Sequence, residues 1–441
     1  MRLFRSLSVR VMAALVLGLA LGAAARAAGE DAFVPVIEGV EAFGGLWLNA
    51  LRMTVVPLVF SLLVVGIASV ADAAATGRLA LRAIVLFSVL ILFAALYGLL
   101  AASGLLALWP VDPDGARALV AASAEAPPVA AEPPTFAEWI RGLAPANPVK
   151  AAAEDAILPL VVFSVFLGFA ATRLPDDLKT PLVSLFRAMA QAMIVIVRWV
   201  LWAAPFGVFA LSLGVGLRAG FGASVVLAHY VAIVSLALIG ITLLAYPLAV
   251  IGGRLPLPRF LRAAAPVLAV AFSTQSSLAC LPLMVERSQD DLGIPPRITG
   301  LVLPLAVAVF RFTSPVGNLA VALFVAHIYG IEPSGLQLVA AVFIAFAVSV
   351  GSVGLPGQVS FILSIAPICL ALGLPIELLP LLLAVEVVPD IFRTLGNVSA
   401  DMAVTAVLGR DARVETADPL EPDLDGNRPL HLDQRGDPAP G

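Results

Sequence analysis

Charge is scarce in this chain. Asp, Glu, Lys and Arg make up only 13% of its 441 residues, where a soluble globular domain carries about a quarter. So little charge leaves too few groups to solvate a surface in water. Cysteine is limited to Cys280 and Cys369, both in apolar surroundings and neither with a CxxC partner, so a disulfide framework is excluded. Histidine is represented by His229, His327 and His431, scattered and without metal-ligand spacing. Ser276 and Ser277 have no histidine nearby, so no nucleophile–base set is legible and an enzyme is not expected. The net charge of −4, with no basic stripe and no aromatic–basic interleaving, gives no reason to expect nucleic acid. No cofactor is called for.

What the chain has in abundance is apolar length. It is 61% hydrophobic, with a mean hydropathy of +1.02. A helix needs about 20 apolar residues to cross the hydrocarbon core. Residues 53–71, 81–109, 156–174, 224–252 and 336–351 with its flanks approach or exceed that length. Membrane strands are about 10 residues long and alternate apolar with polar; these runs are longer and do not alternate. The fold class is an all-α polytopic membrane protein with lipid as its solvent. Arg2, Arg5 and Arg10 precede an apolar run at 11–24 that is followed by Ala-Arg-Ala-Ala. That pattern resembles a secretory signal peptide, but a multi-span chain needs no cleaved signal. A first transmembrane helix is expected instead, with its arginines holding the N-terminus in the cytoplasm.

Helices are predicted near 8–27, 34–72, 79–109, 148–174, 182–217 and 222–252. The Ala/Pro/Asp-rich stretch 111–137, with Glu125, Glu132 and Pro133-Pro134, reads as an extramembrane loop. The Asp/Pro-rich tail from 410 onward reads as a disordered acidic terminus. From 258 the pattern changes. One apolar segment is broken at Ser273-Thr274-Gln275-Ser276-Ser277 and another at Gly351-Ser352-Val353-Gly354-Leu355-Pro356-Gly357. Each break is followed by a longer segment holding polar residues, 295–328 and 373–409. Irregular backbone at membrane depth is tolerated only where protein buries it or a cavity meets it. A repeated unit of interrupted hairpin and helix is the sequence sign of a transporter built from inverted repeats. A channel would instead present one charged ring and a continuous pore.

The last helix carries the chemistry. Glu386, Asp390, Arg393, Asn397 and Asp401 fall on one face at helical spacing inside an apolar segment. Ionisable groups there are costly and face a bundle interior or a water-filled path. Arg393 offers a planar fork suited to a carboxylate. Asp390, one turn earlier, suits an ammonium. A ligand bearing both groups satisfies both residues, whereas a simple dicarboxylate leaves Asp390 facing negative charge. The expected cargo is an acidic amino acid, aspartate or glutamate.

These residues resemble the dicarboxylate/amino acid:cation symporters, which include glutamate and aspartate transporters. The likeness runs through Leu51-Arg-Met-Thr-Val-Val-Pro-Leu-Val-Phe60, Pro145-Ala-Asn-Pro148, Pro205-Phe-Gly-Val-Phe209 and both hairpin tips. It is most specific in Asp390-Ile-Phe-Arg393-Thr394-Leu-Gly-Asn397-Val-Ser-Ala-Asp401. The resemblance implies eight transmembrane helices, two re-entrant hairpins, an elevator-type movement, a homotrimer and a multi-pass place in the inner membrane with both termini cytoplasmic. It implies a division into scaffold helices at 1–78, a transport-domain helix at 79–110, a loop and scaffold helices at 111–217, a sixth helix at 218–257, a transport core at 258–409 and the tail at 410–441. By the same resemblance Arg393 holds the substrate side-chain carboxylate and Asp390 its amine. Thr394 and Asn397 add polar contacts, Ser276, Ser277 and Gly354 close over the ligand, and Ser314 lies near the carboxylate.

The chain departs from the family where sodium is read. Aligned on Pro304-Leu305, the family's Asn-Met-Asp motif becomes Phe310-Arg311-Phe312, and a threonine two residues earlier becomes Ala308. In the third helix, Phe87, Leu90 and Ile91 stand in place of a Tyr…Thr-Ser set. Gln275 stands where some relatives carry a second arginine. Hard cations need several oxygen ligands, and these replacements remove them together, leaving Asp401 and Asn397. Losing an aspartate and gaining Arg311 shifts the local formal charge by about +2, the worth of two monovalent cations. The expectation is that Arg311 supplies permanently a charge that sodium supplies elsewhere. Transport then depends weakly or not at all on sodium and is proton-coupled, uncoupled or exchanging, with H+ or Na+ as the candidate coupling ion and Asp401 as the place of any residual monovalent-cation site. The alternatives are a sodium- or proton-coupled dicarboxylate/amino acid symporter and an ion channel.

Overall fold

The computed structural model describes residues 7–28, 34–75, 77–122, 141–142, 144–154, 156–219, 222–351 and 357–410. The secondary structure of these residues is helical, without a strand among them. Six helices are long and apolar enough to cross a membrane, and four more are apolar but shorter. The architecture is that of a polytopic membrane protein.

Three long helices open the chain: α1 (Leu7–Ala28), α2 (Val34–Ala75) and α3 (Arg78–Leu108). The expected loop at 111–137 begins instead with a helix, α4 (Pro113–Ala122). Asp112 accepts from the Gly115 amide at its start, and Ala116 and Leu119 are buried, so three-residue spacing of apolar groups wins over the turn-rich composition. Glu125, Glu132 and Pro133-Pro134 lie outside the described residues. The expected helix at 148–174 divides into α5 (Pro148–Ala153), capped by Asn147, and α6 (Ile157–Ala171). The expected helix at 182–217 divides at Ala203 into α7 (Asp176–Trp202) and α8 (Ala204–Ala219). Pro205 lacks the amide that would continue the ladder.

α1 packs along α8, and α2 packs against α6, α7 and α8. Lipid gives apolar helices little reason to associate, so close backbone approach must do so. Gly18 and Gly22 provide it: a Cβ at Gly18 would lie 2.0 Å from Ser212 Oγ, and one at Gly22 would lie 2.2 Å from the Leu213 carbonyl oxygen. Gly216 meets them from α8, where a Cβ would lie 2.4 Å from the Leu19 carbonyl oxygen. Arg218 of α8 pairs with Glu41 of α2. Gly22→Val is expected to lower the thermal stability of the detergent-solubilised protein by about 1–3 kcal/mol, the usual cost of overpacking. An unchanged melting temperature would show that α1 does not depend on this seam.

Nine helices follow among the described residues. They are α9 (Gly222–Pro247, ending in a π turn at Leu248–Gly252), α10 (Leu257–Thr274), α11 (Ser277–Asp290), α12 (Pro296–Val309), α13 (Ser314–Tyr329), α14 (Gly335–Gly351), α15 (Gly357–Ala371), α16 (Leu379–Val385) and α17 (Val387–Leu408). α10 and α11 pack on each other as a hairpin whose reversal passes through Gln275 at φ 50°. α14 and α15 also pack together, and residues 352–356 between them, including Gly354, lie outside the described residues. The tail beyond 410 lies outside them as well.

The segment expected as one helix over 295–328 is broken at 310–313, and the one over 373–409 is broken at Glu386. α13 and the C-terminal half of α17 are buried on nearly all sides, as befits helices at the centre of a large bundle. α3, α9, α10 and α12 pack around that centre.

Candidate substrate and cation site

The site forms where the 310–313 break meets α17. A break in a buried helix frees backbone groups that must find partners. Asn397 supplies one: its Oδ1 accepts from the Thr313 amide at 2.9 Å and from Thr313 Oγ1 at 2.9 Å. Thr313 Oγ1 is also 2.9 Å from the Arg393 carbonyl oxygen. α17 thus clamps the break over a full turn. Gly396 allows the approach, since a Cβ there would lie 2.4 Å from both Thr242 Oγ1 and Thr313 Cγ2.

Arg393 is buried, at 7% exposure, and each of its three side-chain nitrogens faces an acceptor. Nη2 donates to Glu386 Oε1 at 2.7 Å, Nη1 donates to Asn318 Oδ1 at 3.2 Å, and Nε lies 3.7 Å from Asp390 Oδ1. The guanidinium rests on Gly317, where a Cβ would lie 2.6 Å from Nη2. On the far side Tyr230 of α9 donates its phenolic hydrogen to Glu386 Oε2 at 2.6 Å. A chain of Tyr230, Glu386, Arg393 and Asn318 therefore runs through the buried core. Asn318 Nδ2 has no hydrogen-bond partner among the described residues.

Sequence reasoning placed Glu386, Asp390, Arg393, Asn397 and Asp401 on one helix; the structure holds the last four on α17, together with Thr394, and puts Glu386 in the turn that precedes it. Thr394 Oγ1 donates to the Asp390 carbonyl oxygen at 3.0 Å. Ser314 is buried at the start of α13, where its Oγ accepts from Arg311 Nε at 3.3 Å. Ser276 and Ser277 are half-buried at the α10–α11 tip. Ser276 Oγ accepts from the Ala279 amide at 3.3 Å, so this hydroxyl also caps α11. Tyr230, Asn318 and Thr313 were not singled out from the sequence. Tyr230 and Asn318 are isolated polar residues in apolar helices, a signal whose partners lie far along the chain.

The break at 310–312 is packed with rings. Phe87 of α3 stacks on Phe310 at 4.7 Å with planes 20° apart, and Phe310 meets Phe312 at 5.6 Å. All three are buried. These rings provide no oxygen, so residues 87, 310 and 312 do not fit a hard cation. Asp401 is also buried, and neither of its carboxylate oxygens has a hydrogen-bond partner among the described residues. The half-buried Arg311, between the two phenylalanines, acts electrostatically on Asp401, Asp390 and Arg393.

A model of the sodium:dicarboxylate symporter family matches residues 7–411. The chain belongs to that family. Its members are transporters rather than enzymes. A proton/glutamate-aspartate symporter of Escherichia coli is 29% identical over 92% of this chain and 92% of its own length. A proton/sodium-glutamate symport protein of Bacillus caldotenax is 27% identical over 92% of this chain and 94% of its own. The human neutral amino acid transporter B(0) is 29% identical over 93% of this chain and 81% of its own. These relatives differ in name by cargo charge and by coupling ion.

Proposed function

We propose that this protein is a secondary active transporter of acidic amino acids, aspartate or glutamate, across the inner membrane, coupled to protons and only weakly dependent on sodium. The observation that carries the cargo assignment is the buried Arg393 beside Asp390 on α17. A guanidinium reads the side-chain carboxylate and an aspartate reads the amine. Thr394, Asn397, Ser314 and the serines of the α10–α11 tip supply further polar contacts, with Gly354 closing from the second tip. A proton/glutamate-aspartate symporter and proton/sodium-glutamate symport proteins among the relatives support the same assignment.

The weak sodium dependence rests on the Phe87–Phe310–Phe312 stack and on Arg311. Arg311 holds a fixed positive charge that acts electrostatically on Asp401 and Asp390, where the family reads a mobile cation. In proteoliposomes, replacing sodium by choline should change aspartate affinity only a few-fold, while collapse of the pH gradient should stop accumulation. A loss of about a hundredfold or more without sodium, equivalent to about 2.7 kcal/mol of coupling, would overturn the coupling assignment. A saturating-substrate current with no saturable uptake would point to a channel. The reading includes eight spans, cytoplasmic termini, a homotrimer, and elevator movement of a transport domain formed by 79–110, 218–257 and 258–409.

A further inference from the structure

We propose that Glu386 carries the coupled proton, and that the substrate puts it there by competing for Arg393. This rests on the reading that Arg393 holds the substrate's side-chain carboxylate. Glu386 Oε1 is the closest acceptor on Arg393, at 2.7 Å, and Oε2 accepts from Tyr230 at 2.6 Å. Among the described residues, the charged or titratable groups acting on Glu386 are Arg393, Asp390 and Tyr230; α13 contributes the neutral Asn318.

The three nitrogens of Arg393 already face Glu386, Asn318 and Asp390. A substrate carboxylate that docks on the fork takes the hydrogen bond now given to Glu386, while the substrate ammonium meets Asp390. Glu386 is then a 4%-exposed carboxylate without its cation. An unpaired buried carboxylate is neutralised by taking a proton. The exchange balances. The Nη2–H···Oε1 bond opens, an equivalent bond forms to the substrate carboxylate, and one proton from the aqueous phase bonds to Glu386. When the substrate leaves on the other side, Arg393 returns to Glu386 and the proton departs there. Tyr230 is a positioning residue, holding the carboxylate in place through both states. One substrate carboxylate thus moves one proton. A neutral amino acid has no side-chain carboxylate to displace Glu386 and should bind without one.

The test measures substrate binding by the purified protein against pH, and proton flux with a trapped pH dye in proteoliposomes. Wild-type aspartate affinity should strengthen about tenfold per unit of acidification over the coupled range, the slope of one linked proton. Asparagine, of nearly the same size, should show no slope where its binding is measurable. Glu386→Gln should flatten the aspartate slope, abolish proton flux and gradient-driven accumulation, and still exchange external for internal aspartate. Glu386→Asp should restore coupling. If Glu386→Gln fails to fold, Tyr230→Phe serves instead: it should move the midpoint of the pH profile without removing the slope. Retention of the full slope and proton flux in Glu386→Gln overturns the inference, as does an unmoved profile in Tyr230→Phe. Wild-type aspartate binding with no pH slope overturns the inference and leaves the cargo assignment standing. Wild-type protein that binds no acidic amino acid overturns the cargo assignment itself.

Discussion

Arg393→Gln should abolish uptake of aspartate and glutamate while leaving the protein folded. The guanidinium is buried, and a substrate carboxylate bound without it would be a desolvated anion lacking its cation. Truncating one partner of such a pair costs about 2–5 kcal/mol, a loss in affinity of roughly thirtyfold to several thousandfold. The same change also removes the cation facing Glu386, which lowers stability unless Glu386 is neutralised in parallel. Arg393→Gln with Glu386→Gln should therefore be more stable than the single variant and equally deficient in acidic-substrate binding. Binding of labelled aspartate to purified protein, set beside thermal unfolding, separates the two effects. An affinity within threefold of wild type would remove Arg393 from the site. Lysine is not expected to rescue, because a point charge cannot reproduce the three directions in which Arg393 meets Glu386, Asn318 and Asp390.

The face carrying Arg393 was legible in the sequence for a physical reason. Polar residues at helical spacing inside a run solvated by lipid are expensive, so each one stands out against its neighbours. The hairpin at Gln275–Ser276 was legible because five polar residues interrupt an apolar run. The break at 310–313 was not. Phe310, Arg311 and Phe312 are not helix breakers by propensity, and the helix ends there because α17 offers Asn397 and the Arg393 carbonyl oxygen as partners for Thr313. That is a tertiary cause, invisible in a window of local sequence. Tyr230 was missed for a related reason. Its partner, Glu386, is 156 residues away, and a tyrosine in an apolar helix reads as packing until its hydroxyl is seen to meet a carboxylate. The division at Ala203 has its signal in Pro205, a residue that suits a helix start and also belongs to the family likeness. α4 lay hidden because alanine and proline dominate the composition around it.

The second large effect concerns Arg311 and Asp401. Asp401 is 1% exposed, without a hydrogen bond to either carboxylate oxygen among the described residues, and Arg311 is the cation that acts on it. Arg311→Met keeps most of the side-chain volume and removes the charge. Among the described residues Asp401 then loses the cation that acts on it and must either stay a buried anion or take a proton, and stability should fall on the order of 0.5–3 kcal/mol, the range for coupled neighbours. Asp401→Asn removes the opposite charge and should leave Arg311 facing Asp390 and Arg393 with one carboxylate fewer. If the guanidinium stands in for a mobile cation, the double variant should recover much of what either single variant loses. The coupling energy of that cycle, read from thermal or denaturant unfolding, would then be stabilising by more than about 1 kcal/mol. Additive losses would mean that Arg311 and Asp401 act independently, and the fixed-charge account of sodium independence would fall with them. Sodium adds a second readout. Restoring affinity in Arg311→Met by adding sodium would show that Asp401 still accepts a mobile cation once the resident charge is gone.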